Sequence, residues 1–113
     1  MKYTAKYSGN ASPTAAEDSL TRQITRQIET ALPLYRIEWI EPLDVREGAE
    51  KCGMGEVTMS GRVRAHFSTD GKAVAESRGQ SPWIDYIVTA ENSEWRNHHR
   101  GTAYDITALI QQA

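Results

Sequence analysis

The sequence predicts a single α+β domain covering residues 1–113, with an antiparallel sheet of about five strands and a long N-terminal helix packed on one face. Several segments alternate apolar and polar residues, which is typical of strands with one buried face. One segment, residues 13–32, instead places its apolar residues at helical spacing. The chain length of 113 residues also suits one domain with one hydrophobic core.

The predicted order of elements is β-α-β-β-β-β-α. Residues 2–8 alternate as a half-buried first strand. The helix over residues 13–32 has Ser12 as its N-cap and Pro13 at the first helical position, and Pro33 ends it. Thr14 with Glu17 offers an alternative start as a capping box. The apolar stripe of this helix consists of Ala16, Leu20, Ile24, Ile28, Ala31 and Leu32.

Residues 34–41 predict the second strand, which Pro42 ends, and residues 43–55 predict a polar surface loop. The clearest strand follows at residues 56–68, because its alternation is strict. Its predicted core side consists of Val57, Met59, Gly61, Val63, Ala65 and Phe67. Its other side consists of Thr58, Ser60, Arg62, Arg64 and His66.

A turn at residues 68–72 predicts a hairpin between this strand and residues 73–78. A two-residue loop would place Glu76 on the core face. A three-residue loop with Gly71 in a bulge sets Arg64 opposite Glu76 and Arg62 opposite Arg78, and we favour it because charge stays out of the core.

The remaining chain predicts one more strand, a loop and a short helix. The strand covers residues 83–90, with its core side formed by Ile84, Tyr86 and Val88 and its other side by Trp83, Asp85, Ile87 and Thr89. Residues 91–101 are polar and predict a loop. Residues from 102 onward predict a short C-terminal helix with the apolar set Tyr104, Ile106, Leu109 and Ile110.

Composition limits the classes of function. The chain has 13 basic and 15 acidic residues, a formal charge of -2, so a bulk electrostatic attraction to nucleic acid is not indicated. Cys52 is the only cysteine, which excludes an internal disulfide and favours a reducing compartment. No segment resembles a signal peptide or a membrane span. We expect a cytoplasmic protein, in the host cytoplasm if a phage encodes it, without membrane contact.

No motif for catalysis, metal or cofactor binding is present. The histidines and Cys52 lack the spacing of a zinc site, and no nucleophile elbow occurs. Gly53 and Gly55 alone do not make a phosphate-binding loop. Asp44, Glu47 and Glu50 are scattered in the predicted 43–55 loop. We therefore expect no cofactor and no metal.

Two groups of residues are candidates for partner binding. The first is the non-core side of the strands, with Arg62, Arg64, His66, Arg78 and Trp83; the alternative is an ordinary solvated face. The second lies in the predicted 91–101 loop and consists of Trp95, Arg96, His98, His99 and Arg100. An aromatic ring among basic residues can stack on a base or dock on an acidic protein. Alternatively, Trp95 folds back into the core.

The α-β-β-β-α portion of the predicted order resembles that of a double-stranded RNA-binding domain. The resemblance covers the order alone. The final helix of that family begins with lysines, whereas residues 101–105 read Gly-Thr-Ala-Tyr-Asp here. The resemblance therefore implies no function for this chain.

These observations favour a non-enzymatic protein that binds another macromolecule, most simply a protein. Small domains without catalytic motifs are often encoded by phages and mobile elements as inhibitors of host defence complexes, such as anti-CRISPR proteins. The first alternative is a nucleic-acid-binding domain that uses Arg62, Arg64 and Arg78 with residues 95–100. The second alternative is a small enzyme with its site at a homodimer interface.

Overall fold

The computed structural model describes residues 2–10, 12–67, 76, 78, 79, 82–98 and 101–113. The described elements are β1 (Lys2–Asn10), α1 (Pro13–Ala31), β2 (Tyr35–Glu47), β3 (Met54–Phe67), β4 (Trp83–Ala90), β5 (Glu94–His98) and β6 (Gly101–Gln112). All paired strands are antiparallel. The predicted α+β class and antiparallel sheet are thereby confirmed, with six strands in place of about five.

The strands lie in the order β1-β6-β4-β3-β2, and β5 continues the line of β4 between β3 and β6. A bulge joins β4 to β5. Ser60 pairs with Thr89 and Glu56 pairs with Glu94, so four steps along β3 correspond to five along β4 and β5. Asn92 absorbs part of the bulge with a left-handed φ of 49°, which asparagine tolerates better than most residues.

The helix begins as the sequence predicts. Ser12 is the N-cap, and its hydroxyl accepts a hydrogen bond from the Ala15 N–H at 3.2 Å. The alternative capping-box start is wrong, because the Glu17 carboxylate instead accepts a bond from the Val45 N–H in β2. The first four residues of the predicted apolar stripe form the buried face of α1. None of them has any exposed surface: Ala16, Leu20, Ile24 and Ile28.

The sheet curves around α1. Gln27 donates to the carbonyl oxygen of Thr4 in β1, and the indole N–H of Trp39 in β2 donates to Thr25. These two strands are the opposite edges of the sheet, about 19 Å apart if the sheet were flat. A helix is only about 10 Å wide. Both edge strands contact α1 because the sheet bends around it. We call the face against α1 the concave face and the other the open face.

The predicted C-terminal helix is wrong, because residues 101–112 form β6 in the middle of the sheet. Tyr104, Ile106, Ala108 and Ile110 are buried at every second position, which is the period of a strand. Leu109 obscured this alternation, since it is a large apolar residue on the open face. With a strand in this place, the resemblance to a double-stranded RNA-binding domain no longer holds even for the order of elements.

Both predicted loops contain strand structure. β2 continues past Pro42 to Glu47, and its register against β3 shifts between residues 39 and 44. Proline is tolerated there because β2 is an edge strand with irregular pairing. The predicted 91–101 loop contains β5, which pairs on both sides with β3 and β6.

The predicted pairing of β3 with residues 73–78 is wrong. Between residues 60 and 66, β3 pairs with β2 on one edge and with β4 on the other, so neither edge is available. Arg64 faces Asp85 rather than Glu76. The turn at residues 68–72 lies outside the described residues. Within the part of the chain that the structure describes, no helix is long and apolar enough to cross a membrane.

Candidate functional site

The open face brings four of the predicted site residues together. His66 pairs with Trp83, and two residues further along the strands Arg64 pairs with Asp85. Two residues further again, Arg62 pairs with Ile87. Because side chains at every second position share a face, these residues form one continuous surface. We call it the Trp83 patch, defined by Arg62, Arg64, His66, Trp83, Asp85 and Ile87.

Arg64 is held rigidly at the centre of the Trp83 patch. Its Nε donates to Oδ1 of Asp85 at 2.7 Å and its Nη2 to Oδ2 at 3.1 Å, a bidentate geometry. Its Cζ lies 5.7 Å from the centre of the Trp83 ring, within range of a cation–π interaction. The hydrogen bond from Arg64 lowers the pKa of Asp85 and raises the pKa of Arg64 itself, so both groups stay charged across the physiological range.

Two large apolar side chains remain accessible in the same patch. Trp83 exposes 55% of its surface and Ile87 exposes 42%. α1 packs on the concave face, so no element described by the structure covers this side of the sheet. The alternation of β4 predicts both residues on the non-core side of the strand, and the structure confirms that position.

Acidic neighbours balance the arginines. Glu41 pairs with Arg62 and Glu38 pairs with Arg64 across β2 and β3. Glu38 also lies 3.8 Å from Nε2 of His66. The sequence contained both glutamates, but only the register of β2 against β3 shows that they face the arginines. The Trp83 patch therefore has the Arg64–Asp85 ion pair at its centre, with the apolar side chains of Trp83 and Ile87 on either side of it.

Arg78 lies away from the Trp83 patch. It lines a small cavity of about 110 Å³ beside residues 31–35, where α1 leads into β2. The predicted position of Arg78 opposite Arg62 is therefore wrong, because Ile87 and Glu41 occupy the two positions next to Arg62. As for Glu76, the predicted pairing with β3 cannot form because β2 and β4 occupy both edges of β3.

Trp95 belongs to the core, which was one of the alternatives that the sequence left open. It is 5% exposed on the concave face, and its indole N–H donates to the carbonyl oxygen of Gly48 at 3.2 Å. Gly55 makes room for the ring: a Cβ there would lie 2.5 Å from Nε1 of Trp95. A buried indole with its N–H satisfied cannot stack on a base, so Trp95 is not available to a partner.

Among the other members of the second candidate group, Arg96 is separated from Trp95. Arg96 points to the open face and forms an ion pair with Glu94 at 2.6 Å. His98 is the last residue of β5. His99 and Arg100 lie outside the described residues. Trp95 and Arg96, the two members whose side chains the structure describes, therefore lie on opposite faces of the sheet.

The open face also carries a row of carboxylates that sequence analysis missed. Glu94 pairs with Glu56 on one side and with Asp105 on the other. Like charges directly opposite each other are mildly destabilising. The sequence did not indicate this row, because it predicts Asp105 in a helix and Glu94 in a loop, where the two side chains would not be paired.

The three carboxylates of the predicted 43–55 loop have partners. Asp44 binds Arg46, and Glu50 accepts from the Asn97 side chain at 2.8 Å. Glu47 accepts a hydrogen bond from the Tyr104 hydroxyl. Burial, followed by this hydrogen bond, raises the pKa of Tyr104 to about 12. The contacts of Glu50 and Glu47 attach this part of the chain to β5 and β6, which is a structural role.

Cys52 lies in the turn between Lys51 and Met54 and is exposed, with a left-handed φ of 57°. Over the described ranges, the structure groups no three histidine, cysteine or acidic side chains closely enough to hold a metal ion. Comparisons of the chain with protein-family models, with curated proteins and with solved structures give no match. The candidate site is therefore defined by its geometry alone, as an exposed patch on the open face of an antiparallel α+β fold.

Proposed function

We propose that the chain is a non-enzymatic protein-binding domain and that the Trp83 patch is its contact surface. The observation that carries the proposal is the position of two exposed apolar side chains, Trp83 and Ile87, beside arginines on a sheet face that no described element covers. Tryptophan and arginine are the residue types that most often dominate the energy of protein interfaces. Small-molecule sites are usually concave, so an exposed sheet face with these side chains suits a protein surface better than a small molecule.

Preorganisation supports the same proposal. Binding orders flexible side chains at a cost of about 0.5–1.5 kcal/mol each. The bidentate contact with Asp85 and the cation–π contact with Trp83 already restrict Arg64 before a partner arrives. The centre of the patch therefore loses less conformational entropy on binding than a free arginine would.

Charge favours a protein partner over a nucleic acid. A phosphate backbone is attracted by a surplus of basic groups, whose counterions are released on binding. Here Arg62 faces Glu41, and Arg64 faces Asp85 and Glu38, so the patch has no such surplus. We propose that the protein acts by occupying its partner's surface. An anti-CRISPR-like inhibitor that blocks the surface of a host defence complex in this way would need no catalytic group.

The proposal can be tested by affinity capture with three immobilised proteins. These are the wild type, a double variant Trp83→Ala/Ile87→Ala, and the control Met54→Ala, which removes an exposed apolar side chain 36% accessible at the far end of the open face. Cell lysate treated with nuclease supplies the partners. A protein retained by the wild type and by Met54→Ala, and lost with the double variant, is the expected result.

Retention of the same proteins by all three would place binding elsewhere and overturn the proposal. A parallel gel-shift experiment with defined DNA and RNA oligonucleotides addresses the alternative. Binding that falls steeply between low and physiological salt and survives Trp83→Ala/Ile87→Ala would indicate a nucleic-acid-binding protein instead.

A further inference from the structure

The outer edge of β1 is closed by two glutamines of α1. Nε2 of Gln23 donates to the carbonyl oxygen of Lys6 at 2.9 Å, and Nε2 of Gln27 donates to that of Thr4 at 2.8 Å. β1 is the last strand of the sheet, with β6 as its strand neighbour on the other side. The two glutamines thus occupy backbone acceptors to which another strand would otherwise bind.

The spacing of these bonds follows from the geometry of the two elements. Four residues along a helix advance about 6 Å, and two residues along a strand advance about 6.8 Å. A helix antiparallel to the strand can therefore place side chains at i and i+4 on alternate carbonyls of the strand. One more step of this pattern would place Ala31 opposite Lys2. Alanine has no side-chain donor, so the pattern ends after two hydrogen bonds.

The backbone of β1 is otherwise suited to pairing. In an antiparallel strand the N–H and C=O of one residue point to the same edge. Since the carbonyls of Thr4 and Lys6 point outward, their N–H groups do so as well. A groove of about 500 Å³ between α1 and β1, lined by Tyr3, Gln23, Gln27 and neighbouring helix residues, runs beside this edge.

We propose that Gln23 and Gln27 mask a self-association edge, and that without them β1 pairs antiparallel with β1 of a second copy. A twofold axis at Ala5 places Thr4 opposite Lys6 of the second copy and Lys2 opposite Ser8 of the second copy. Like charges directly opposite each other would be destabilising, and this register contains no such pair. The result is one continuous sheet across two copies. Natural sheets commonly protect their edges against such pairing.

The experiment compares the mass of four proteins by sedimentation velocity over a concentration series. The double variant Gln23→Met/Gln27→Met keeps side-chain size and helix propensity but removes both donors. We expect its mass to rise to about twice that of the wild type with increasing concentration. The control Arg22→Met changes an exposed residue of the same helix and should keep the wild-type mass.

The fourth protein adds Lys6→Pro to the double variant. Proline removes the outward N–H of residue 6, which gives no bond to β6, so the sheet itself should tolerate it. We expect this triple variant to return to the wild-type mass. Association that persists with the proline would place the contact elsewhere and overturn the proposal.

A double variant that keeps the wild-type mass at every concentration, with only a lower melting temperature, would also overturn it, because the glutamines would then merely attach α1 to β1. If the double variant does not fold by circular dichroism, the single variants Gln23→Met and Gln27→Met decide. Each retains one bond, and each should show partial association that Lys6→Pro abolishes.

Discussion

Trp83 and Trp95 lie on one nearly continuous strand of the sheet, yet their environments are opposite. Trp83 is 55% exposed on the open face, whereas Trp95 is 5% exposed on the concave face with its N–H bonded to Gly48. In an uninterrupted strand, two residues separated by an even number of positions share a face. Both residues have odd numbers, so both indoles would then point to the same side.

The bulge between β4 and β5 reverses this relation. It adds one residue between Thr89 and Glu94 relative to β3 and so turns every later side chain to the other face. One tryptophan thereby becomes part of the core and the other part of the Trp83 patch. The number of residues between the paired positions, and not the residue type, therefore decides which tryptophan is buried.

The largest expected effect is the loss of stability on removing the buried indole. Trp95→Ala deletes a well-packed aromatic ring and leaves a cavity, which costs about 3–5 kcal/mol. Urea denaturation followed by circular dichroism measures the change in the free energy of unfolding. A loss below about 1 kcal/mol would contradict the burial of Trp95.

A smaller loss is expected when the space for that indole is reduced. Gly55→Ala places a methyl group 2.5 Å from Nε1 of Trp95 and 2.8 Å from the Ala49 carbonyl oxygen. Overpacking of this kind costs about 1–3 kcal/mol. Gly9→Ala is the matched control in a strand, because its Cβ meets only the flexible end of Tyr7, at 3.4 Å. Equal losses for the two variants would argue against the close approach at Gly55.

The bulge itself can be tested at Asn92, whose φ is 49°. Asn92→Val should destabilise the fold by about 1–2 kcal/mol, because a β-branched residue is strained in the left-handed region. Asn92→Gly should leave the stability nearly unchanged, since glycine adopts this conformation without steric cost. Thermal unfolding of both variants checks the prediction, and a tolerated valine would show that the bulge does not depend on this conformation.

The smallest change in stability is expected at the exposed indole. Trp83→Ala removes the cation–π contact with Arg64 and the buried part of a side chain that is 55% exposed, so the loss should be about 1 kcal/mol. The same urea titration used for Trp95→Ala measures it. A loss as large as that of Trp95→Ala would show that Trp83 serves the core and would remove the basis of the proposed contact surface.

Local patterns predicted the helix and the sidedness of the long strands. Ser12, Pro13 and the apolar stripe define α1 through contacts within a few residues of each other. The alternation in β3 correctly placed Arg62, Arg64 and His66 on the open face, and that in β4 placed Trp83 with them. A strand with one buried face carries this information in its own residues.

Patterns of short range could not predict β5 and β6. β5 has only five residues, of which Trp95 alone is apolar, so its own residues show no alternation that would indicate a strand. In β6 the apolar Leu109 on the open face weakened the period of two. The sequence alone could not predict whether Trp95 is buried, because the bulge that turns it inward is visible only in the pairing of β4 and β5 with β3.

By itself, then, the sequence determined α1, the inward and outward sides of β3 and β4, and an open face bearing Arg62, Arg64, His66 and Trp83. Only the tertiary structure decided which residues meet there: Asp85 and the β2 glutamates next to the arginines, with Arg78 and Trp95 elsewhere. The physical reason is that the alternation of a strand is set by neighbouring residues, whereas register is set by the pairing of strands far apart in the chain.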